Sequence, residues 1–515
     1  MTVSAARRER RGSVLRAIAA TAVVAVTAAA TVLLAVVTDG NVVAVLAPAL
    51  AVAGLWLVAV LPIRYTILAV TFLGLALDKP GDSADKWHSP LSPLGGLLLL
   101  NLNKTVNVAA LTFSLLQLLL IGLLLLRFYR WTLRMPGYER DGVWASPPML
   151  TALLVSFGSV VAVAAFGIAR GGDVQMAKIQ LQVFLPLLAM AYLMGVSIRR
   201  QDYRALAIVV VASACVKALV AIWLRMTLPV VFGSGRGQME YATTHGDSMH
   251  FAIAAVLLLA IFFEKPIRRH AQLFLCVAPI LFAGMWANNR RLVWAQFGVA
   301  CAILLSMNLK SRVTRALVRG VVYLVPVLVL YCAAGWNSGS KIFAPVKTIR
   351  SMTDSDVDRS TFYRDIENYN LAYTFKTNPI LGTGFGHPFE LAVPLDDISG
   401  GFREWRYMPH NSILGLWAFT GMLGFTGILW APVCGLLLAA RSHRMTRSPD
   451  ERIAASVAMS SIAVYFLHCW GDIGFTEQKS IFLVGGAIAI AGQLAIATGA
   501  WRVRSASSVP VQQAA

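Results

Sequence analysis

The sequence predicts an all-α polytopic membrane protein, a bundle of about 14 transmembrane helices with one large extracytoplasmic loop. Three observations predict it. The 515 residues are 57% hydrophobic and only 14% charged, against about 25% charged in an average soluble domain, and the mean hydropathy is +0.67. Apolar runs recur along the chain at lengths near the ~20 residues that a helix needs to cross hydrocarbon. The formal charge of +20 is carried in short clusters between those runs. A nucleic-acid-binding protein would gather it on one solvated face. The same composition excludes a disordered chain and a string of soluble domains.

Taken in order, residues 1–16, with Arg7, Arg8, Arg10 and Arg11, read as a basic cytoplasmic N-terminus. The apolar run that follows is too long for a signal-peptide core and lacks a convincing cleavage site, so it reads as a retained span. N-terminal transmembrane helices are expected across 17–228, from runs at 17–37, 41–61, 63–77, 106–126, 148–168, 179–197 and 205–227. The segment 93–103 is too short to cross and reads as re-entrant or interfacial. Residues 229–335 hold runs at 249–263, 271–287, 292–308 and 320–335, joined by outer loops that bear arginine. A large extracytoplasmic loop occupies 336–410. The C-terminal helices fall within 411–500, from runs at 411–438, 453–469 and 480–499, before a disordered cytoplasmic tail at 501–515. The runs at 63–77 and 249–263 are the shortest.

Loop charge tests this count. With the N-terminus inside, alternation makes every cytoplasmic loop basic, including Arg199-Arg200, Arg268-Arg269 and the Lys310/Arg312/Arg315/Arg319 cluster. The outer segments are then nearly neutral, as the positive-inside rule requires. One miscounted span would scramble that asymmetry downstream. The six cysteines lie within or at the ends of apolar runs, form no CxxC pair and read as small hydrophobes. No internal repeat is visible, which counts against transporter folds built from paired halves.

Structureless segments as long as the outer loop are uncommon unless functional. At its end, Pro409-His410-Asn411-Ser412 leads into an apolar run. There a neutral His410 imidazole, dry on one side and wet on the other, can take the proton of a weakly acidic sugar hydroxyl. Asn411 either orients that ring or caps the helix. The same residues also read as an ordinary interfacial cap.

Asn288-Asn289-Arg290-Arg291 is a very short outer turn. Its paired arginines run against the charge bias and suit a diphosphate, whose oxygens take paired hydrogen bonds; snorkelling to headgroups is the other reading. Gly233-Ser234-Gly235-Arg236-Gly237 fits no P-loop or dinucleotide motif. It offers backbone amides and a cation to an anion, or is a flexible loop. Within 336–410, Arg359 and Arg364 reach phosphate or pair with Asp356, Asp358 and Asp365. Residues 361–376 read as an amphipathic helix, and the glycine run from Asn378 to Gly386, through Gly384, as a tight, open turn. His245, Asp247 and His250 lack diagnostic ligand spacing, so neither a metal nor a cofactor is expected. His468 and Asp472 frame the last outer turn. Lys217 and Arg225 are intramembrane charges, which are functional candidates by default.

Together these residues resemble the O-antigen ligase / Wzy-type O-antigen polymerase superfamily of bacterial glycan transferases. Asn289-Arg290-Arg291-Leu292-Val293-Trp294-Ala295 is similar to the family's Ser-Arg-Gly segment. Arg359 through Asn378-Pro379-Ile380-Leu381-Gly382-Thr383-Gly384-Phe385-Gly386 is similar to its arginine, aromatic and glycine-rich pattern. His410-Asn411-Ser412-Ile413-Leu414 with Gly421 and Gly424 resembles its H-N-x-x-L … G-x-x-G signature. Order and spacing agree over about 230–435. Arg291 stands where glycine is usual, so either member of the pair is the candidate. The resemblance implies a GT-C-like helical bundle in the bacterial plasma (inner) membrane, with both termini cytoplasmic and an extracytoplasmic site.

It also implies inverting, metal-independent transfer of a glycan from a polyprenyl-diphosphate carrier to a glycan or glycolipid acceptor. His410 would be the base. Arg236, Arg290, Arg291 and Arg359 would hold the diphosphate, supported by Asn411, Arg364 and Gly384. The partners expected are that donor, that acceptor and the lipid bilayer, and no nucleic acid. The competing reading is a lipid-linked oligosaccharide flippase, which would line a central path with charge and needs no long outer loop. A peptidoglycan-polymerase-like enzyme would use an outer carboxylate such as Asp396, Asp397 or Glu404, but no motif surrounds them.

Overall fold

Each of the expected apolar runs coincides with a helix, because only a helix satisfies every backbone polar group within one segment. The structure, a computed structural model, describes residues 21–36, 39–40, 42–78, 89–103, 113–132, 142–227, 230–232, 235–237, 242–309, 312–343, 346, 350 and 359–501. The expected N-terminus 1–16 and all but the first residue of the tail 501–515 lie outside the described residues. The chain forms two units, Met1–Thr66 with Asn101–Phe113, and Ile67–Leu100 with Ser114–Ala515. The first carries Thr21–Val36 and Val42–Val60. The second carries every residue of the candidate site.

Among the described residues, ten helices are long and apolar enough to cross a membrane, from Leu115–Thr132 to Lys479–Ala497. Thr21–Val36, Ile63–Ala76 and Arg291–Met307 are apolar but shorter. The expectation of about fourteen crossings therefore has ten helices of full length behind it. Two of the boundaries that differ from the hydropathy reading do so for local reasons. The run at 106–126 becomes Leu115–Thr132, where Ser114 and Gln117 exchange side-chain bonds to each other's N–H at 3.2 and 3.0 Å, a capping box. The short run at 249–263 becomes His245–Glu264, because the Thr244 hydroxyl caps it at Asp247 N–H and the polar residues Asp247, Ser248 and His250 are wound inside and buried.

Helices pack closely where small residues let backbones approach. Gly485 on Lys479–Ala497 lies so close to Phe184–Ser197 that a Cβ would sit 3.1 Å from Leu187 O. In Ser412–Met445, Ser156 accepts the Ala431 N–H at 3.0 Å and donates to Gly427 O at 3.0 Å. It thus bridges an opened turn just before Pro432, the kind of repair a proline in a membrane helix calls for.

Helix ends sort into two groups. At one end, Lys265 pairs with Asp450 at 2.5 Å, Arg452 with Glu264 at 3.0 Å, and Arg200 with Glu451. The other end holds the starts of His245–Glu264, Arg291–Met307, Ser412–Met445 and Lys479–Ala497 and the ends of Arg268–Asn288 and Pro449–Gly471. His410 and Arg290 are there.

The long loop is anchored by a backbone splice. Ser412–Met445 is broken at Gly421, whose φ is 58°. Thr383 N–H donates to Ala418 O at 3.2 Å and Gly384 N–H to Phe419 O at 2.8 Å. In return Met422 and Leu423 N–H donate to Pro379 O and Ile380 O at 2.9 and 3.2 Å. The glycine run is an open turn, as expected, and its groups replace helical bonds missing at the break. Gly384 (φ +88°) lies on the backbone of Gly167. Gly384→Val is expected to destabilise the protein by about 2–5 kcal/mol, combining a left-handed conformation with steric overlap. Thermal unfolding in detergent reads the effect, and an unchanged midpoint counts against the splice.

The loop helix, Arg359–Thr377, buries Glu367, Asn370, Leu371 and Thr374 at helical spacing. Its inner face is polar, not the apolar stripe an amphipathic reading implies. Asn370 Oδ1 accepts from Ala392 and Val393 N–H at 2.9 Å each, and Thr374 Oγ1 accepts from Glu390 N–H at 2.8 Å. Hydrogen bonds to the returning chain take the place of hydrophobic burial.

Candidate active site

His410 sits at the approach to Ser412–Met445. Asn411 is the N-cap: its Oδ1 accepts the Leu414 N–H at 3.1 Å, so its side chain serves the helix. The imidazole is held instead by Glu367 from the loop helix. Glu367 Oε2 accepts the His410 backbone N–H at 3.0 Å, and Oε1 lies 3.3 Å from Nδ1. The Tyr363 ring stands edge-on to the imidazole, centroids 6.3 Å apart. Its Oη is buried without a hydrogen-bond partner, and burial with nearby carboxylates pushes the phenol up to about 12. Tyr363 therefore keeps a spare donor.

Arg290 is turned toward the same region by Asn289, whose φ of 53° makes a tight left-handed corner. The corner is held by fully buried Asn288, which donates to Ser248 Oγ at 2.9 Å and Thr244 O at 3.2 Å and accepts from Thr243 N–H at 3.0 Å. Arg290 Nη1 donates to His245 Nε2 at 2.7 Å and Nε to Thr243 O at 3.3 Å. Asp472 Oδ2 is 3.0 Å from the same His245 Nε2. That nitrogen serves one partner at a time, accepting from Arg290 as a lone pair or donating to Asp472 as N–H. Arg291, the first residue of its helix, is exposed.

The turn after Pro449–Gly471 joins the two halves. Ser412 Oγ donates to Asp472 O at 3.1 Å, and Arg364 Nη1 donates to Gly471 O at 3.3 Å. Burial alone would push the Asp472 carboxyl up, but His245, His468 and Arg364 outweigh it and hold it below the ordinary carboxylate value. His468 is buried, with Nδ1 3.2 Å from Gln296 Nε2. Arg364, Tyr363 and Glu367 lie on one helix, so the loop helix touches both the His410 and the Asp472 sides.

Behind this region is a buried charge cluster. Lys217, fully buried on Tyr203–Thr227, pairs with Asp78 and, at 3.4 Å, with Asp247. Lys479 pairs with Asp247 and, at 3.5 Å, with Asp78. Burial pushes the nearby Glu477 carboxyl up to about 7. Asp247 thus faces two lysines, while His250 Nε2 lies 3.2 Å from Ser213 Oγ and 3.0 Å from Val210 O. Asp78 and Glu477 had no signal in the local sequence.

Of the arginines singled out in the sequence, Arg364 touches the Asp472 turn directly and Arg290 is linked to it through His245. The side chains of Arg236 and Arg359 lie outside the described residues, although Arg236 pairs opposite Val231 in a short hairpin and Arg359 opens the loop helix. Gly384 belongs to the loop anchor. An apolar cavity beside His410 is walled by Met408, Pro409, Leu416, Phe419 and Phe475. Glu367 is the residue the sequence reading missed. Its only local signal is the helical spacing of Tyr363, Glu367, Asn370 and Thr374, and the fold alone brings it to a residue 43 positions away.

Residues 276–429 match the family model described as O-antigen ligase. The resemblance to the O-antigen ligase / Wzy superfamily therefore holds over the stretch that carries Arg290, Arg291, Arg359, Arg364, Gly384, His410 and Asn411. Arg236, His245 and Asp472 lie outside it. No curated protein matches the chain.

Proposed function

We propose, from an O-antigen ligase stretch that contains both Arg290 and His410, that this membrane protein transfers a glycan from a polyprenyl-diphosphate carrier to an acceptor hydroxyl. The observation that supports the reading is the Asp472 turn, which bonds Ser412, two residues after His410, and Arg364, and reaches Arg290 through His245.

His410 Nε2 takes the acceptor proton as the oxygen attacks the anomeric carbon. The bond to the diphosphate breaks on the opposite face with inversion, and the leaving group keeps the electron pair. Fixed cations stabilise that developing charge most when they are preorganised in a dry site. Arginine stays charged at any working pH, which suits it to replace a divalent ion. Arg290 and Arg364 are the first candidates, with Arg236, Arg291 and Arg359 as others. The apolar wall beside His410 suits the start of a lipid carrier. The loop charges support a reading with this end of the bundle outside and both termini cytoplasmic, and the O-antigen ligase match fits a bacterial inner membrane.

Glycan profiling of a deletion strain complemented with each variant tests the reading. Arg290→Ala is expected to lower transfer on the order of 10²–10³-fold, the loss typical of one preorganised donor, and to strand glycan on its carrier. Normal surface glycan from this variant overturns the diphosphate assignment. Loss of chain-length ladders indicates a polymerase, whereas ladders stranded on the carrier indicate a ligase.

A further inference from the structure

We propose that Glu367 is a positioning residue for His410, holding the imidazole in the tautomer with its proton on Nδ1 and its lone pair on Nε2. This rests on the reading of His410 as the base.

The geometry is that of a clamp. One carboxylate grips two points of one residue, the backbone N–H at 3.0 Å and Nδ1 at 3.3 Å, so it restrains both the chain and the ring. Carboxylate oxygens only accept, which makes Nδ1 the donor. Tyr363, one turn before Glu367 on the loop helix, closes another side of the ring. The Glu367 side chain is 2% exposed and that of His410 is 27% exposed, so the clamp is dry while the imidazole reaches solvent. Among the described residues Nε2 has no hydrogen-bond partner. A carboxylate buried this far is costly unless paired, and both of its hydrogen bonds go to His410. During transfer the acceptor proton moves to Nε2, the ring becomes an imidazolium facing the carboxylate, and the proton then leaves to solvent.

A helix-entry role alone predicts something different. Gln at 367 has nearly the same shape and can still accept the His410 backbone N–H through its oxygen. Its NH₂ then faces Nδ1 and demands a lone pair there, which moves the ring proton to Nε2 and removes the base. Flipping the amide sets two donors against each other at the backbone.

The test uses the full-length protein in proteoliposomes with carrier-linked glycan extracted from a deletion strain. Glu367→Gln is expected to lower kcat on the order of 10²–10⁴-fold, the range seen when a histidine loses its orienting carboxylate. The donor concentration for half-maximal rate and the thermal midpoint should stay near wild type, and Glu367→Asp should recover part of kcat. A Glu367→Gln enzyme within about threefold of wild-type kcat overturns the proposal, threefold being under about 0.7 kcal/mol.

Nitrogen NMR of ¹⁵N-histidine-labelled protein, with His410 assigned by its loss in His410→Ala, gives a second readout. The protonated nitrogen should move from Nδ1 to Nε2 in Glu367→Gln, and an unmoved proton in the folded variant overturns the proposal whatever the variant's activity. An active His410→Ala defeats the base reading itself. An inactive His410→Ala beside a fully active Glu367→Gln defeats only the positioning role.

Discussion

His410→Ala is expected to abolish glycan transfer while the protein stays folded and still takes up its carrier-linked donor. A positioned general base contributes typically about 10²–10⁴-fold, and a sugar hydroxyl has no nucleophilic power of its own near neutral pH. Among the described residues of the site, no other imidazole is free for the task. His245 shares its Nε2 between Arg290 and Asp472, and His468 is buried against Gln296. The side chain at 410 is partly exposed and caps nothing, because Asn411 performs that role. Glu367 keeps the backbone N–H at 410 but loses the ring N–H, so stability should fall by about 1–3 kcal/mol, the usual cost of one lost buried hydrogen bond, without unfolding the protein. Single-turnover transfer in proteoliposomes measures the loss, and thermal unfolding checks the fold. More than about a tenth of the wild-type rate sinks the base assignment, because that leaves under 1.4 kcal/mol for the group to supply.

Lys217→Met is expected to produce the largest loss of stability, about 3–5 kcal/mol, the usual cost of leaving a buried ionic partner uncompensated. Lys217 and Lys479 are shared by Asp78 and Asp247. Burial alone raises the Asp78 carboxyl, yet the two ammonium groups outweigh it and hold it below its ordinary value. Without Lys217, two carboxylates depend on one ammonium in a dry interior.

Asp78→Asn added to Lys217→Met restores balance, since one cation then faces one anion, and should recover a large part of the loss. Midpoints of thermal unfolding for the single and double variants measure the coupling. A double variant no better than the single shows that Lys217 acts through packing. Transfer should fall with stability, because Asp247 lies two residues from His245, and the helix it anchors carries the partner of Arg290.

Much of the fold was legible because crossing hydrocarbon constrains sequence severely. Apolar runs, basic loops and the long polar insertion marked the helices, and a histidine and arginines beside them marked the candidate site. Boundaries were less legible where polar residues wind into helices, as at His245–Glu264, since hydropathy treats His245 and Asp247 as loop while the fold pairs Asp247 with Lys479. The break at Gly421 was hidden for a related reason: its missing bonds are supplied by a segment some forty residues upstream.

Composition, run length and loop charge determined that this is a helical membrane protein, because the bilayer imposes those demands segment by segment. The residue types at 290 and 410 determined that a cation and a base were on offer. Only the tertiary structure decided that Glu367 grips His410, that Arg290 rather than Arg291 meets His245, and that Asp78 balances Lys217. Each of these is a hydrogen bond or ion pair between distant segments, and such contacts leave no periodicity along the chain to read.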